Sequence, residues 1–150
     1  MTDKEKLHVK IGLSGTYWDR RPEYSMLIND AKFISHQKIG ADTDVVEYVE
    51  FDIELTEGVE YKLHIKLENK TNRDTVQNAD KTAILQDMML NIVSVELDEI
   101  DLGSLVHTHS QFIGDDKSRP VLDNCVNLGW NGTWTLAFTS PFYIWLLENI

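Results

Sequence analysis

A polar segment with many side-chain oxygens, residues 69–87, lies between two stretches that have the pattern of β-strands. Residues 59–67 before it alternate apolar and polar side chains, and residues 88–97 after it are mostly apolar. Long polar loops between strands are common positions for binding sites. Five of its side chains offer oxygen ligands for a metal ion: Asn69, Asp74, Asn78, Asp80 and Asp87.

Calcium is the ion that such a loop would suit. It takes 6–8 oxygen ligands from carboxylates, amides and backbone carbonyls, and it tolerates irregular geometry. The spacing does not follow the EF-hand pattern, because no glycine lies in the middle of the loop and no glutamate closes it. On residue types alone, the alternative is an ordinary solvated loop whose Asn and Asp side chains form turns.

Exposed aromatic rings are a second device for binding sugars, since the apolar face of a sugar stacks on a flat ring. Tyr17 and Trp18 lie in a predicted loop, residues 15–22, where they are candidate ligand-binding residues. Trp130 and Trp134 flank Asn131-Gly132, a dipeptide typical of a type I′ hairpin. Paired tryptophans on one face stabilise such a hairpin without any ligand.

No residue pattern indicates catalysis. His107 and His109 would share a face in an extended chain, but no third metal ligand is evident nearby. The sequence has no Ser-His-Asp, phosphate-binding or redox motif. Cys125 is the only cysteine, so an intrachain disulfide is excluded. We therefore expect a protein that is not an enzyme.

Composition and charge restrict the classes of partner. The chain has 150 residues, 42% of them hydrophobic, which is enough for one core. Its net charge of −11 argues against nucleic acid and against anionic membrane surfaces. The N-terminal residues lack the apolar segment of a signal peptide. These features predict a chain that is made in the cytoplasm and does not enter a membrane.

Period-2 alternation is the main structural signal, and no segment sustains a helical period. Strands are predicted at residues 7–13, 24–28 and 31–36, with residues 45–55 and 59–67 forming a hairpin around Glu57-Gly58. Residues 142–147 are predicted to form the last strand. The fold class predicted is all-β, a jelly-roll-like β-sandwich of two antiparallel sheets. A single domain spans residues 1–150, with a core at 7–102 and a C-terminal extension, 103–150, that completes it or packs on it.

Four segments carry a resemblance to a known family: YSMLINDAKF, VEYVEFDIEL, EYKLHIKLENK and DMMLNIVSVELDEI. Their order resembles the calcium-dependent, xylan-binding type of carbohydrate-binding module. In that family the loop after the hairpin and the aspartate that re-enters the sheet hold calcium, and sugar hydroxyls complete the coordination. The resemblance implies Asn69, Asp80 and Asp87 as calcium ligands, with Asp74 and Asn78 as further candidates.

Two C-terminal segments, NLGWNGTW and PFYIWLLEN, resemble uncharacterised proteins of marine tailed phages. A lone sandwich gains little from weak sugar binding unless many copies act together, as on a particle. The sequence therefore predicts a non-enzymatic structural or assembly subunit of a phage virion, with copies of itself or other virion proteins as partners. The alternative is a free-standing calcium-dependent carbohydrate-binding module with a polysaccharide as its partner.

Overall fold

The structure, a computed structural model, describes residues 3–150, so residues 1 and 2 of the predicted domain and N-terminal segment lie outside the described residues. The described chain is built mainly from β-strands, with two short α-helices. The strands are β1 Lys4–Thr16, β2 Glu23–Ile28, β3 Ala31–Lys38, β4 Glu47–Thr56, β5 Glu60–Leu67, β6 Val76–Gln77, β7 Ile84–Gln86, β8 Met89–Leu97, β9 Ile100–Asp101, β10 Ser110–Gly114, β11 Leu122–Asp123, β12 Asn127–Leu128 and β13 Gly132–Thr139. The helices are α1 Leu105–Thr108 and α2 Phe142–Asn149, and a 3₁₀ turn covers Asn72–Asp74.

The strands form two large antiparallel sheets. In the first sheet the order is β12-β8-β1-β4, with β9 paired to the end of β8. In the second sheet the order is β11-β10-β13-β5-β2-β3. Strands β6 and β7 form a separate two-stranded hairpin. The predicted fold class, an all-β sandwich of two antiparallel sheets, is confirmed.

The core lies between the inner faces of the two sheets. Alternate residues of β1, from Leu7 to Leu13, are buried, as the period-2 pattern predicts. From the second sheet, Met26, Ile65 and Trp134 are fully buried. Strand β13 runs between β5 and β10, so the C-terminal part of the chain contributes a central strand to the second sheet.

The predicted hairpin of residues 45–55 and 59–67 is wrong. Strand β4 pairs with β1 in the first sheet, whereas β5 pairs with β2 and β13 in the second. The chain crosses between the sheets at Glu57-Gly58, where Gly58 has a φ of 85° and its amide donates to the Ser140 carbonyl (2.7 Å). A turn signal reports only that the chain reverses, and it does not report which strand will be the partner.

The predicted last strand is also wrong, because residues 142–149 form α2. Phe142 and Trp145, three residues apart, are buried, while Tyr143 and Ile144 between them are exposed. The Glu5 carboxylate accepts hydrogen bonds from the Phe142 amide (3.0 and 3.1 Å), so it supplies a partner for a free amide at the helix start. Among the described residues, no helix is long and apolar enough to span a membrane.

Asn131-Gly132 does not form the predicted hairpin turn. Strand β12 before it pairs with β8 in the first sheet, and β13 after it belongs to the second. Glycine is required at position 132 because a Cβ atom there would lie 2.5 Å from the Ile113 carbonyl oxygen. The dipeptide therefore reflects a close approach of two strands and not a tight turn.

Candidate functional site

The polar segment after β5 is held in place by its own hydrogen bonds. At its start, Thr71 and Asp74 form a capping box around the 3₁₀ turn, in which the Thr71 amide donates to Asp74 Oδ2 (2.7 Å). Farther along, β6 and β7 form the small hairpin. The segment is thus an ordered structure built on two strands of the sandwich.

Asp74 is buried and paired with a cation. Arg20 donates from Nε to Asp74 Oδ1 (3.1 Å) and from Nη2 to Oδ2 (2.5 Å). Burial by itself would raise the pKa of Asp74, but the hydrogen bonds from Arg20 and Thr71 outweigh it and the pKa is lowered. Arg20 also donates to the Asn69 carbonyl (2.8 Å). This pair joins the loop that carries Trp18 to the loop that follows β5.

The Asn69 side chain connects backbone segments. Its Oδ1 accepts from the Glu23 amide (2.9 Å), and its Nδ2 donates to the Arg21 carbonyl (2.9 Å). Glu23 is the first residue of β2, and Arg21 lies two residues before it. The amide group therefore extends the pairing of β5 with β2 beyond the last residue of the ladder.

Asp87, at the re-entry into the sheet, is paired with Lys70. Its Oδ1 accepts from Lys70 Nζ (2.7 Å), from the Thr75 hydroxyl (2.7 Å) and from the Met88 amide (2.9 Å). Burial alone would raise the pKa of Asp87, but these hydrogen bonds lower it. Lys70 Nζ donates further to the Gly129 carbonyl (2.5 Å).

Asn78 and Asp80 lie together in the turn of the β6–β7 hairpin. Asn78 Oδ1 accepts from the amides of Thr82 (2.8 Å) and Ala83 (3.1 Å). Asp80 Oδ1 accepts from the Thr82 hydroxyl (2.7 Å), which lowers the pKa of Asp80. Both side chains stabilise the turn in the manner typical of Asx residues.

The five predicted metal ligands therefore fall into two groups. Asn69, Asp74 and Asp87 lie near the start and end of the segment, and the other two lie at the tip of the hairpin. Their oxygens already accept hydrogen bonds, and Asp74 and Asp87 each have a cationic partner in Arg20 and Lys70. One calcium ion would have to displace these cations, so the donor set as arranged does not fit calcium, and the ligand assignment stays a prediction.

The two predicted ligand-binding aromatics differ in accessibility. The Trp18 indole Nε1 donates to the Asp74 carbonyl (3.0 Å), and the side chain is 44% exposed. Tyr17 donates its hydroxyl to the Ala41 carbonyl (2.9 Å), and the Arg21 guanidinium lies 5.1 Å from its ring centre. Trp18 thus presents an oriented and accessible ring beside the 3₁₀ turn, whereas Arg21 covers one face of Tyr17.

A polar cleft of about 310 Å³ opens on the same loop. One wall is formed by residues 70–75 and the other by residues 115–119, with residues 129–131 between them. The walls are held together by Asn131, whose side chain accepts from the Lys70 amide (2.8 Å) and donates to the Lys70 carbonyl (2.9 Å). The Asn131 carbonyl accepts from the Asp115 amide (2.9 Å). The cleft is therefore preformed.

The Arg119 guanidinium stacks above the Trp130 ring at the edge of this cleft, 4.3 Å from the ring centre. Within residues 3–150 no carboxylate oxygen lies within 4.0 Å of that guanidinium, so its donors are available to a ligand. Arg119 and the cleft were not predicted from the sequence. The polar segment 115–119 was visible in the sequence, but its approach to residues 70–75 depends on the pairing of β13 with both β5 and β10.

One other group of side chains has the composition of a metal site. Among the described residues, Glu23, His36 and Glu68 form a group in which one ligand atom from each lies within 4.8 Å of the others. The group borders Asn69, which follows Glu68 and binds the Glu23 amide. No local signal in the sequence points to this group, because the three residues come from three different strands or strand ends.

His107 and His109 do not share a face, since the segment containing them forms α1 and its C-terminal cap. His109 Nε2 contacts Asn149 Oδ1 (3.0 Å), and its ring meets the Trp145 ring edge-on at 5.7 Å. His109 therefore helps to hold α2 in place.

Comparisons with known proteins connect this fold with a class of binding protein. No known family profile matches the sequence, and no curated protein matches it. The solved structure of vCBM60 in its selenomethionine form, described with a circular permutation linking two families of calcium-dependent carbohydrate binding modules, has a TM-score of 0.53 and 8% identity, covering 87% of this chain and 89% of that chain. The complex of vCBM60 with galactobiose has a TM-score of 0.47 and 8% identity, covering 86% and 96%. The chain thus has a β-sandwich fold similar to that of a carbohydrate-binding module.

Proposed function

We propose that this protein is a non-enzymatic carbohydrate-binding module, and that its sugar-contacting surface is the Trp18 ring together with the adjoining cleft. The observation that carries the proposal is the state of Trp18: its indole N–H is fixed by the Asp74 carbonyl while the side chain stays 44% exposed. A ring that is already oriented loses little side-chain entropy when a sugar stacks on it.

The cleft supplies the hydrogen-bonding groups that sugar hydroxyls require. Asn72 offers an amide, Asp115 and Asp116 offer carboxylates, and Arg119 offers guanidinium N–H groups. Because Asn131 fixes the cleft walls, few of these groups need to be reordered on binding. A preformed cleft next to an oriented aromatic ring is the arrangement that a weak but specific sugar site needs.

The fold supports the same class of function. The neighbour with a TM-score of 0.53 is described as a calcium-dependent carbohydrate binding module. For this chain, the calcium dependence remains part of the proposal, because binding at Asp87 would require calcium to compete with Lys70. The sequence resemblance implies Asn69, Asp80 and Asp87 as the calcium ligands, but Asp80 lies at the tip of the hairpin, apart from the other two, so calcium binding by all three would require the segment to rearrange.

A glycan array probed with a multivalent form of the chain tests this proposal, with parallel arms in millimolar calcium and in chelator. Multivalent display compensates for weak single-site affinity. For a bound glycan, titration calorimetry should show about tenfold weaker binding for Trp18→Ala and for Arg119→Ala, since a stacking or charged contact is worth about 1.4 kcal/mol or more. Tyr143→Ala, which removes an exposed aromatic on α2, is the matched control and should bind as the wild type does.

The proposal fails if no glycan binds in either arm. It also fails if Trp18→Ala and Arg119→Ala bind a glycan with unchanged affinity. Glycan binding that occurs only in the calcium arm would support the calcium assignment. Equal binding in both arms would show that Arg20 and Lys70 are sufficient partners for the carboxylates without an added ion.

A second candidate is the assembly subunit of a virion that the sequence predicts. The observation that favours it is an exposed apolar face on α2, comprising Tyr143, Ile144 and Leu147, with Ile150 beside it. Exposed apolar patches of this kind mark association surfaces. Light scattering after size-exclusion chromatography tests it: a stable oligomer that dissociates in Leu147→Glu supports assembly, and a monomer at all concentrations weighs against self-assembly. Location in a virion stays a prediction.

A further inference from the structure

We propose that Glu23, His36 and Glu68 form a binding site for a divalent transition metal ion, with Zn²⁺ as the representative ion. The site lies on the second sheet, where β2, the edge strand β3 and the end of β5 meet. This proposal is independent of sugar binding at Trp18 and the cleft.

A single nitrogen atom of His36 lies close to both carboxylates. His36 Nδ1 lies 3.1 Å from Glu23 Oε1 and 3.4 Å from Glu68 Oε1. Two ligand atoms at about 2.1 Å from a tetrahedral zinc ion are about 3.4 Å apart. The two distances from His36 Nδ1 are therefore close to the spacing of zinc ligands, and all three ligand atoms lie within 4.8 Å of one another.

The backbone positions these groups before any ion binds. The pairing of β2 with β3 is irregular between Tyr24 and Met26, and Ser25 there is buried. The Ser25 hydroxyl accepts from the His36 amide (3.0 Å) and donates to the Glu68 carboxylate. The Glu68 amide donates to the Glu23 carbonyl (3.0 Å). One main-chain hydrogen bond and two hydrogen bonds of the Ser25 hydroxyl thus hold these three residues close to one another.

Charge gives a separate reason for a cation at this position. Glu23 and Glu68 are neighbours on adjacent strands, and like charges in such positions are destabilising. Within residues 3–150, no lysine or arginine nitrogen lies within 4.0 Å of either carboxylate. In the polar segment, the buried Asp74 and the half-buried Asp87 have their own Arg or Lys partners. The two glutamates therefore depend on His36 or on an added cation.

The donor set selects the class of ion. An imidazole nitrogen with two carboxylates suits zinc and the other late first-row divalent ions, whereas calcium takes oxygen ligands. Since His36 is largely exposed, an ion has access from solvent and water can fill its remaining coordination positions.

A second histidine in the chain provides a built-in comparison. His8 also contacts two carboxylates, but it uses its two nitrogens separately: Nδ1 contacts Asp52 (2.7 Å) and Nε2 contacts Glu50 (3.0 Å). These carboxylates lie at opposite edges of the ring, so one ion cannot contact both of them and the ring. His8 thus has the composition of a metal site without its geometry.

Titration calorimetry of ZnCl₂ into the purified chain tests the proposal. We expect one zinc ion per chain, with affinity lowered about tenfold or more in His36→Asn and in Glu68→Gln. Asparagine is chosen because position 36 has a φ of 50°, which asparagine tolerates. His8→Asn is the matched control and should bind zinc as tightly as the wild type. Calcium titrated in the same way should give no binding that depends on His36.

A second readout separates zinc ligation from a merely structural effect of the variants. In long-range ¹H–¹⁵N NMR spectra of the wild-type chain, zinc should shift the Nδ1 resonance of His36 and leave those of His8 unchanged. The proposal is overturned if the wild type binds no zinc, if His36→Asn binds zinc as tightly as the wild type, or if the His36 ring nitrogens do not respond.

Discussion

Replacing Asp74 by alanine is expected to destabilise the protein far more than replacing Asp80, although both aspartates belong to the same polar loop. Asp74 is buried and accepts hydrogen bonds from the Arg20 guanidinium, the Thr71 amide and the Thr71 hydroxyl. Asp80 is exposed and accepts only from Thr82. The two variants remove the same carboxylate from very different surroundings.

The magnitude for Asp74→Ala follows from these contacts. Loss of the capping box costs about 1 kcal/mol. A hydrogen-bonded pair of charges contributes about 1.5–3 kcal/mol, but the Arg20 side chain is 45% exposed, so water compensates for about half of that loss. The sum is about 2–2.5 kcal/mol, which corresponds to a fall in Tm of about 7 °C for a chain of this size. For Asp80→Ala we expect a much smaller loss of stability, of the size usual for a surface substitution.

Thermal unfolding by circular dichroism, in chelator and in millimolar calcium, measures both effects. The structure predicts the same loss for Asp74→Ala in the two buffers, because the partner of Asp74 is Arg20. A loss that appears only in calcium would instead identify Asp74 as a calcium ligand. Equal Tm values for the two variants in chelator would contradict this prediction, since burial and the Arg20 pair would then contribute nothing.

The pH dependence gives a further check on this pair. The pKa of Asp74 is lowered from its ordinary value of 3.8, because the hydrogen bonds from Arg20 and Thr71 outweigh the opposing effect of burial. The unfolded state therefore binds a proton before the folded state does, and the stabilisation is complete above the unfolded pKa. The difference in Tm between the wild type and Asp74→Ala should be constant at neutral pH and should shrink as the pH falls below 3.8 toward the lowered pKa.

Three other predictions concern the sheets and the loops. Gly132→Ala should lower the free energy of unfolding by about 3 kcal/mol, because its Cβ would lie 2.5 Å from the Ile113 oxygen and 2.7 Å from the Gly114 Cα. A denaturant titration measures this loss. Gly129→Ala is the control, since the nearest neighbour of its Cβ would be Met89 Cε at 3.8 Å. Hydrogen bonds from the His8 ring to Asp52 and Glu50 raise the pKa of His8 from its ordinary value of 6.5, so an NMR titration should show that pKa falling in Asp52→Asn and staying unchanged in Asp101→Asn. If calcium raises the Tm of the wild type, Asp87→Ala should abolish the rise, and an undiminished rise would remove Asp87 from the ligand set.

The strands whose side chains alternate were predictable because their signal is local. In β1 and β5, every second residue is apolar, and the pleat of a strand places those residues on one face whatever the partner strand is. The β2–β3 hairpin was predictable because its signal is local as well. Asn29 in its turn adopts a φ of 51°, which asparagine tolerates. The oxygen-rich loop and the exposed Trp18 were likewise visible as residue types.

Helix α2 shows where local signals were insufficient. A short apolar run is compatible with a buried strand or a helix, and periodicity alone does not separate them. That this segment forms a helix and not a strand depends on Glu5, which lies 137 residues away and accepts from the Phe142 amide. It also depended on the burial of Phe142 and Trp145 against the sandwich.

The all-β sandwich, the polar loop and the position of Trp18 in a loop were predictable from the sequence, because alternation and turn chemistry act over a few residues. The surroundings of these residues depend on the tertiary structure. In the folded chain, Asp74 pairs with Arg20 and Asp87 pairs with Lys70. Residues 115–119 face residues 70–75 across the cleft. Glu23, His36 and Glu68 lie close together although they are distant in sequence. These contacts follow from which strands pair, and strand pairing is governed by long-range packing that no short stretch of sequence encodes.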